Sequence, residues 1–135
     1  DTAVVIGGAI MGKPGSRKDA ARMLGELSGE THEVVSGVTV GKPGGEALTF
    51  SVTTRVTMRE ITSRELDRYW DTGEPADKAG AYGIQGLGAL FVERIEGSYT
   101  NVVGLPLMET AAALARNGVD CFALNSRATR AERRA

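Results

Sequence analysis

The run of residues 47–58 alternates between apolar and polar side chains, which is the period of a β-strand with one buried face. A second extended run covers residues 31–40, and the segment between them, GKPGGE, has the composition of a hairpin loop. The sequence therefore predicts a long β-hairpin that buries one face. The side chains predicted on the apolar face of its second strand are Leu48, Phe50, Val52, Val56 and Met58.

Two segments carry clear helix signals. Ser16 can cap a helix that ends near Gly29, because its hydroxyl can accept a hydrogen bond from the first turn. Thr62 and Glu65 form a capping box, which predicts a helix over residues 63–72. The apolar face predicted for the first helix consists of Ala20, Met23, Leu24 and Leu27, and the hydrophobic staple of the second consists of Ile61 and Leu66.

The remaining segments are predicted as two strands over residues 2–6 and 89–95, a turn region over residues 97–104 and a helix over residues 106–117. Residues 74–88, EPADKAGAYGIQGLG, contain four glycines and little apolar periodicity. We predict that they form a long ordered loop, and loops of this length are usually functional or disordered.

The composition excludes several classes of protein. The chain has 135 residues, a formal net charge of -1 and 41% hydrophobic residues, which indicates one domain without a membrane partner and disfavours nucleic acid as a partner. The single cysteine, Cys121, has no partner for an internal disulfide, and no secretory signal pattern opens the sequence. These features predict a cytoplasmic protein in which Cys121 is a packing residue.

The stretch GGAIMGKP comes within one residue of the phosphate-binding pattern G-x-x-x-x-G-K-[ST]. Pro14 stands where that pattern needs a hydroxyl for Mg²⁺, and proline also lacks a backbone N–H. The sequence therefore disfavours a P-loop. Lys13 is still a candidate phosphate ligand because it lies in a stiff turn, and the alternative is an exposed loop lysine.

Two further residues are candidates for chemistry. Asp1 precedes an apolar strand, and its carboxylate could accept a proton from water or bind a divalent metal; the alternative is a solvated terminal residue. His32 is the only histidine, so a histidine-based zinc site has no companion ligands. We predict that His32 is a hydrogen-bonded structural residue.

The segment DKAGAYGIQG places four polar groups within nine residues, among glycines that allow close backbone approach. Gln85 could read the edge of a base, Tyr82 could stack on it, and Asp77 and Lys78 supply opposite charges. The segment is therefore a candidate ligand wall, and the alternative is a hydrogen-bonded connector.

Several blocks together resemble the Maf family of nucleoside triphosphate pyrophosphatases. They are DT before the first strand, GKP, SGETHEV followed by SGV, GEP, DKAGAYGIQG and NVVGLP, in matching order over about residues 1–119. The resemblance implies an α/β fold of the inosine-triphosphatase-like type, a mixed sheet with flanking helices that is often dimeric. It also implies hydrolysis of a nucleoside triphosphate to the monophosphate and pyrophosphate with a divalent cation, Mg²⁺ or Mn²⁺.

The resemblance assigns roles to four residues. Asp1 matches the family's proton acceptor, which activates water against the α-phosphorus, and Lys13 matches a lysine that neutralises phosphate charge. Thr2 and Gln85 match the positions associated with substrate choice, and this pair resembles the dTTP/UTP branch. The metal ligands stay unknown at this point.

The chain departs from the family pattern in lacking the S-x-S-P-R-R block that contacts the triphosphate. We therefore expect a Maf-like domain over residues 1–122 whose N-terminal part is missing, followed by a basic, disordered tail over residues 123–135. Two hypotheses follow. The chain is either a dTTP/UTP pyrophosphatase, or a truncated and catalytically inactive Maf-like chain that binds a nucleotide or a protein.

Overall fold

The computed structural model describes residues 1–123, and within them five strands form one sheet in the order β2-β1-β3-β4-β5. Every pairing between neighbouring strands is antiparallel. The tail predicted over residues 123–135 lies, from residue 124 onward, outside the described residues. The strands are β1 (Thr2–Ile6), β2 (Ala9–Met11), β3 (Thr31–Val40), β4 (Leu48–Met58) and β5 (Val92–Glu96).

The predicted long hairpin is confirmed as β3 and β4. Their register runs from Thr31 opposite Thr57 to Val40 opposite Leu48. The apolar face of β4 is fully buried only toward its C-terminal end, where Val56 and Met58 are at most 1% exposed. Leu48, at the loop end of the hairpin, is 37% exposed.

A short strand that the sequence analysis did not predict, β2, pairs with β1. Gly7 and Gly8 connect the two strands with φ angles of 56° and 78°. Two consecutive positive φ angles are the signature of a two-residue hairpin turn of the I′ type, and glycine adopts them without strain. The chain therefore turns back into the sheet instead of running from β1 through the turn into a helix. Because no helix begins at Lys13 or Pro14, the sequence argument against a P-loop is confirmed.

In the described part of the chain α-helices flank the sheet, and two of them were well marked in the sequence. The Ser16 side chain caps α1 by accepting from the Asp19 N–H, and the capping box of α2 between Thr62 and Glu65 is complete. The residues buried on α1 are the predicted Ala20, Met23, Leu24 and Leu27, and the staple residues Ile61 and Leu66 both pack against the core. The helices are α1 (Arg17–Leu27), α2 (Ser63–Asp71), α3 (Tyr99–Val103) and α4 (Leu107–Arg116).

Three predictions about the second half of the chain need correction. The turn region over residues 97–104 contains α3, whose first turn is capped by the Ser98 hydroxyl. The strand predicted over residues 89–95 begins only at Val92, because a 3-10 turn occupies Leu87–Phe91. Cys121, predicted as a packing residue, is exposed.

The α/β fold class is confirmed, with a sheet and flanking helices around one hydrophobic core, and among the described residues the sheet is antiparallel throughout where the family resemblance implied a mixed one. The loop over residues 74–88 is ordered, as predicted, and is built largely from short 3-10 turns. No helix among residues 1–123 is long and apolar enough to cross a membrane. The core includes Val4, Leu24, Leu27, Val34, Val56, Met58, Tyr69 and Phe91.

Candidate functional site

A cavity of about 470 Å³ lies between β1, the loop of residues 74–88, called here the glycine-rich loop, and the C-terminal end of α3. Three of the residues assigned from the family resemblance, Thr2, Lys13 and Gln85, line it. They come from three separate segments of the chain, so their convergence is a property of the tertiary structure. Such concave sites with a few convergent polar groups are typical of small-molecule binding.

Thr2 is held in place by hydrogen bonds on two sides. It lies opposite Ser36 in the β1–β3 register, and the two hydroxyl oxygens are 2.8 Å apart. The Thr2 hydroxyl lies 3.1 Å from the carbonyl oxygen of Gly104, whereas the Ser36 hydroxyl lies 3.5 Å from that of Asn101, so the shorter contacts have Thr2 donating to Gly104 and Ser36 donating to Thr2. A hydroxyl oxygen has two lone pairs, and this arrangement leaves one of them on Thr2 for a ligand.

Lys13 reaches the cavity because its segment is tied to the glycine-rich loop. The Gly80 N–H donates over 3.1 Å to the carbonyl oxygen of Gly12, the residue directly before Lys13. Gly80 has φ +70, and a Cβ at this position would lie 3.1 Å from side-chain carbons of Val4, so a side chain here would be strained. The Lys13 ammonium is exposed and makes no hydrogen bond among the described residues.

Asp77 and Lys78 form an exposed ion pair at the cavity, with Lys78 Nζ 2.9 Å from Asp77 Oδ1. The hydrogen bond from Lys78 lowers the pKa of Asp77, and the nearby charge of Lys13 lowers it slightly further. Asp77 is therefore ionised at neutral pH. Its negative charge lies close to both cavity lysines.

Gln85 is exposed in the cavity wall, and its side chain makes no hydrogen bond within residues 1–123. Its position therefore depends on the backbone of the loop. That backbone is held by Glu74 and Tyr69, two residues that the sequence analysis did not select. The Glu74 carboxylate accepts hydrogen bonds from the N–H groups of Leu87 and Gly88, both at 2.9 Å, and from the Tyr69 hydroxyl.

Burial raises the pKa of Glu74, but the hydrogen bonds from Tyr69, Gly88 and Leu87 outweigh it and bring the pKa below its ordinary value. Burial, together with the Glu74 carboxylate, raises the pKa of Tyr69. The pair is therefore an ionised carboxylate and a neutral phenol. The signal that could have revealed it is the spacing of Gly83, Gly86 and Gly88, which leaves room for a carboxylate against the loop.

The structural role predicted for His32 is confirmed. His32 is 1% exposed, and its Nε2 atom lies 2.6 Å from the Tyr82 hydroxyl oxygen. Burial lowers the pKa of His32 to about 4, so the ring is neutral near pH 7. Tyr82 is only 5% exposed and packs edge-on to His32, which leaves little ring surface for the stacking role suggested by the sequence.

Asp1 is exposed and is not among the residues that line the cavity, although its neighbour Thr2 is. Its backbone is paired with Gly37, whose N–H donates to the Asp1 carbonyl oxygen over 2.9 Å. One of its carboxylate oxygens accepts from the Thr2 N–H, also at 2.9 Å. The structure thus brings Thr2, Lys13 and Gln85 together and places Asp1 one residue beyond the lining.

No group of three or more histidine, cysteine or acidic side chains in the described part of the chain could hold a metal ion. Both oxygens of Glu74 already accept hydrogen bonds, whereas the Asp77 carboxylate pairs with Lys78 and with its own backbone N–H. Mg²⁺ is usually held by one or two carboxylates together with substrate phosphates. The donor set therefore fits a cation that enters with a phosphate ligand.

The described residues thus form an α/β domain in which a sheet, the glycine-rich loop and a short helix line one cavity. The sequence matches the family model described as Maf-like protein over residues 1–117. The chain therefore belongs to the Maf family, as its sequence blocks suggested.

Related proteins named dTTP/UTP pyrophosphatase share more than half of their aligned residues with this chain. The one from Hahella chejuensis is 54% identical over 119 residues, which is 88% of this chain and 59% of the relative. The one from Cupriavidus pinatubonensis is 57% identical over 114 residues, or 84% of this chain and 56% of the relative. The one from Bacillus pumilus is 52% identical over 122 residues, or 90% of this chain and 64% of the relative. The chain thus spans about three fifths of the length of these relatives.

Proposed function

We propose that this Maf-family chain carries the activity of a nucleoside triphosphate pyrophosphatase, which hydrolyses dTTP and UTP to the monophosphate and pyrophosphate. The observation that supports this most is the convergence of Thr2, Lys13 and Gln85 on one cavity. The relatives from Hahella chejuensis and Cupriavidus pinatubonensis are named dTTP/UTP pyrophosphatase, which supports this reaction and these substrates.

The base end of the site is assigned to Thr2 and Gln85. Uracil and thymine present an N–H donor between two carbonyl acceptors. The Thr2 hydroxyl keeps one lone pair for such a donor, and the Gln85 amide offers both a donor and an acceptor. A site built to hydrogen-bond a base rejects a base with the wrong pattern, because polar groups that the bound base covers would stay unpaired.

The phosphate end is assigned to Lys13. The cavity lining carries two lysines, Lys13 and Lys78, and two carboxylates, Glu74 and Asp77, so its formal charge is zero. A triphosphate brings several negative charges to this neutral lining. Asp77 is the carboxylate that would hold a divalent cation, Mg²⁺ or Mn²⁺, which would supply positive charge at the phosphates when bound.

Asp1 is assigned as the proton acceptor. Its carboxylate takes a proton from water while the water oxygen bonds to the α-phosphorus. The bond from the α-phosphorus to the oxygen that bridges to the β-phosphate breaks, and pyrophosphate leaves with that oxygen. General base catalysis of this kind contributes about 10²- to 10⁴-fold to a rate.

The test is pyrophosphate release from dTTP, UTP, CTP and GTP with Mg²⁺ or Mn²⁺. We expect release from dTTP and UTP by the unsubstituted chain and a loss of about 10²-fold or more in Asp1→Asn. Asp67→Asn is the matched control, because Asp67 is exposed on α2 and does not line the cavity. Equal losses in the two variants would contradict the role of Asp1, and no release from any nucleotide would contradict the proposed activity.

Nucleotide binding without hydrolysis is the second candidate. The neutral charge of the cavity lining favours it, because few cationic groups are available to stabilise charge that develops in a transition state. Titration calorimetry with dTTP and Mg²⁺ separates the two functions, since binding without pyrophosphate release would support this second candidate.

Two further expectations belong with this proposal. A cytoplasmic location follows from the sequence argument on cysteine usage, and cell fractionation tests it. The family resemblance implies a homodimer, and light scattering after size-exclusion chromatography would measure its mass.

A further inference from the structure

The loop that carries Gln85 has no strand partner and little internal support. Between Gly83 and Leu90 its backbone hydrogen bonds include those of tight turns, from the Gly86 N–H to Gly83 and from the Ala89 N–H to Gly86, both at 3.2 Å, and the segment runs into the 3-10 turn of Leu87–Phe91. Bonds of this kind shape a turn but do not fix where the turn lies relative to the rest of the cavity. Arg59 Nε donates to the Leu90 carbonyl oxygen over 3.0 Å at the far end of the segment, and another contact must set the position of the backbone around Gln85.

That contact is the Glu74 carboxylate together with the Tyr69 hydroxyl. The Glu74 carboxylate accepts hydrogen bonds from the N–H groups of Leu87 and Gly88. The Tyr69 hydroxyl oxygen accepts one from the N–H of Gly83 over 3.0 Å. Tyr69 in turn donates to Glu74. The pair therefore holds backbone groups on both sides of Gln85.

The glycines of the loop fit closely around this carboxylate. A Cβ atom on Gly86 would collide with a Glu74 carboxylate oxygen. A Cβ atom on Gly83 would lie 3.5 Å from the other oxygen of the same carboxylate. The loop is thus packed tightly against Glu74. A side chain at position 86 would displace either the loop backbone or the Glu74 carboxylate.

Glu74 also lines the cavity, so a direct role toward the substrate has to be weighed. Each of its two oxygens already accepts a backbone hydrogen bond, and one also accepts from Tyr69. A carboxylate occupied in this way is a poor proton acceptor and a poor metal ligand. Its contacts point to an effect on the loop.

We propose that Glu74, oriented by Tyr69, is a positioning residue that sets the location of Gln85 and thereby the choice of nucleotide base. This inference rests on the proposed function, because it names how the same site selects its substrate. Misplacing a reading group by about 1 Å can cost about 10²-fold in rate, so release of the loop has a measurable effect.

The kinetic test uses Glu74→Gln, which keeps the size of the side chain but turns one acceptor into a donor that faces a backbone N–H. We expect a rise of about 10- to 100-fold in KM for dTTP, a smaller change in kcat, and a reduced preference for dTTP over CTP. Tyr69→Phe loses only the hydroxyl, and we expect smaller changes in KM, kcat and base preference. This variant replaces Glu74→Gln in the test if Glu74→Gln does not fold. The matched controls are Glu93→Gln and Tyr99→Phe, whose side chains are exposed and outside the cavity lining.

A double variant tests whether Glu74 acts through Gln85. If it does, Glu74→Gln combined with Gln85→Ala selects between dTTP and CTP no worse than Gln85→Ala alone. Additive losses, or a loss in kcat with KM and base preference unchanged, would overturn the inference. Either result would show that Glu74 acts on the reaction by another route.

Amide hydrogen exchange tests, without any nucleotide, whether Glu74 and Tyr69 hold the backbone of the loop. We expect faster exchange at Gly83, Leu87 and Gly88 in Glu74→Gln and no change in Glu93→Gln. Unchanged exchange overturns the inference whatever the activity is, and so does faster exchange with unchanged base preference. If the unsubstituted chain binds dTTP but releases no pyrophosphate, the proposed hydrolysis fails, and base preference is then measured by binding.

Discussion

At the scale of single residues, Asn101 joins a wall of the cavity to the sheet. It has no exposed surface, and its side-chain nitrogen lies 3.1 Å from the carbonyl oxygen of Val34 and 3.0 Å from that of Val52. The same nitrogen lies 2.9 Å from the Thr54 hydroxyl oxygen. The C-cap of α3, Gly104, lines the cavity. Asn101 on the same helix therefore links the site to β3 and β4.

Replacing Asn101 with alanine is expected to destabilise the protein by about 2–4 kcal/mol, since buried carbonyl groups lose their donor and a gap remains. Urea unfolding measures this change in the free energy of unfolding. Asn117→Ala is the matched control, because Asn117 makes a single 3.3 Å side-chain bond to Ala113 at the end of α4. A similar cost in both variants would contradict a special role for Asn101.

At the scale of elements, α2 connects local sequence signals to the site. Its capping box was readable from Thr62 and Glu65 alone, since the two residues bond to each other's backbone over 3.1–3.2 Å. The hydrogen bond from Arg59 and those from Thr62 lower the pKa of Glu65 to about 2. The helix that starts here carries Tyr69 at its far end, so its cap also supports the loop of Gln85.

Thr62→Ala is expected to lower stability by about 1 kcal/mol, because the helix loses its N-cap acceptor. Ser63→Ala, one residue further along and exposed, should change stability by less than about 0.5 kcal/mol. Thermal unfolding of the two variants beside the unsubstituted chain checks the difference. If Thr62→Ala unfolds like Ser63→Ala, the capping box contributes nothing to stability.

At the scale of the whole molecule, His32 connects the sheet to the glycine-rich loop through Tyr82. The contact spans 50 positions of the sequence and is buried. Protonating His32 would place a charge in the core, where its Nδ1 atom has no hydrogen-bond partner among the described residues. Stability should therefore depend on pH through this one ring.

The sign follows from the lowered pKa. The unfolded chain binds a proton at His32 near pH 6.5, whereas the folded chain binds it only near pH 4. Stability is therefore complete above pH 6.5 and falls as the pH drops toward 4, by about 3 kcal/mol in total. Urea unfolding at pH 7 and pH 5 measures how much of this free energy of unfolding is lost between the two pH values. The loss should be smaller in His32→Gln. An equal loss in that variant would show that other groups cause the pH dependence.

Local signals determined the β3–β4 hairpin, α1 and α2, because alternation and helix caps involve residues a few positions apart. The residues themselves indicated Lys13 and Gln85 as candidate ligand groups, and the family resemblance added Thr2. The same reasoning missed β2 and α3. Their backbone was read as turns from glycine content, although pairing with β1 and the bonds of Asn101 stabilise them as regular elements.

Patterns in the sequence thus identified the family, the main strands and the better marked helices. Only the tertiary structure decided which polar groups share a cavity and which hold its loop in place. The physical reason is distance along the chain: Asn101 bonds to Val34 across 67 positions, and Glu74 reaches Gly88 across 14. Contacts of this kind form only when the sheet, α2 and the glycine-rich loop have packed together.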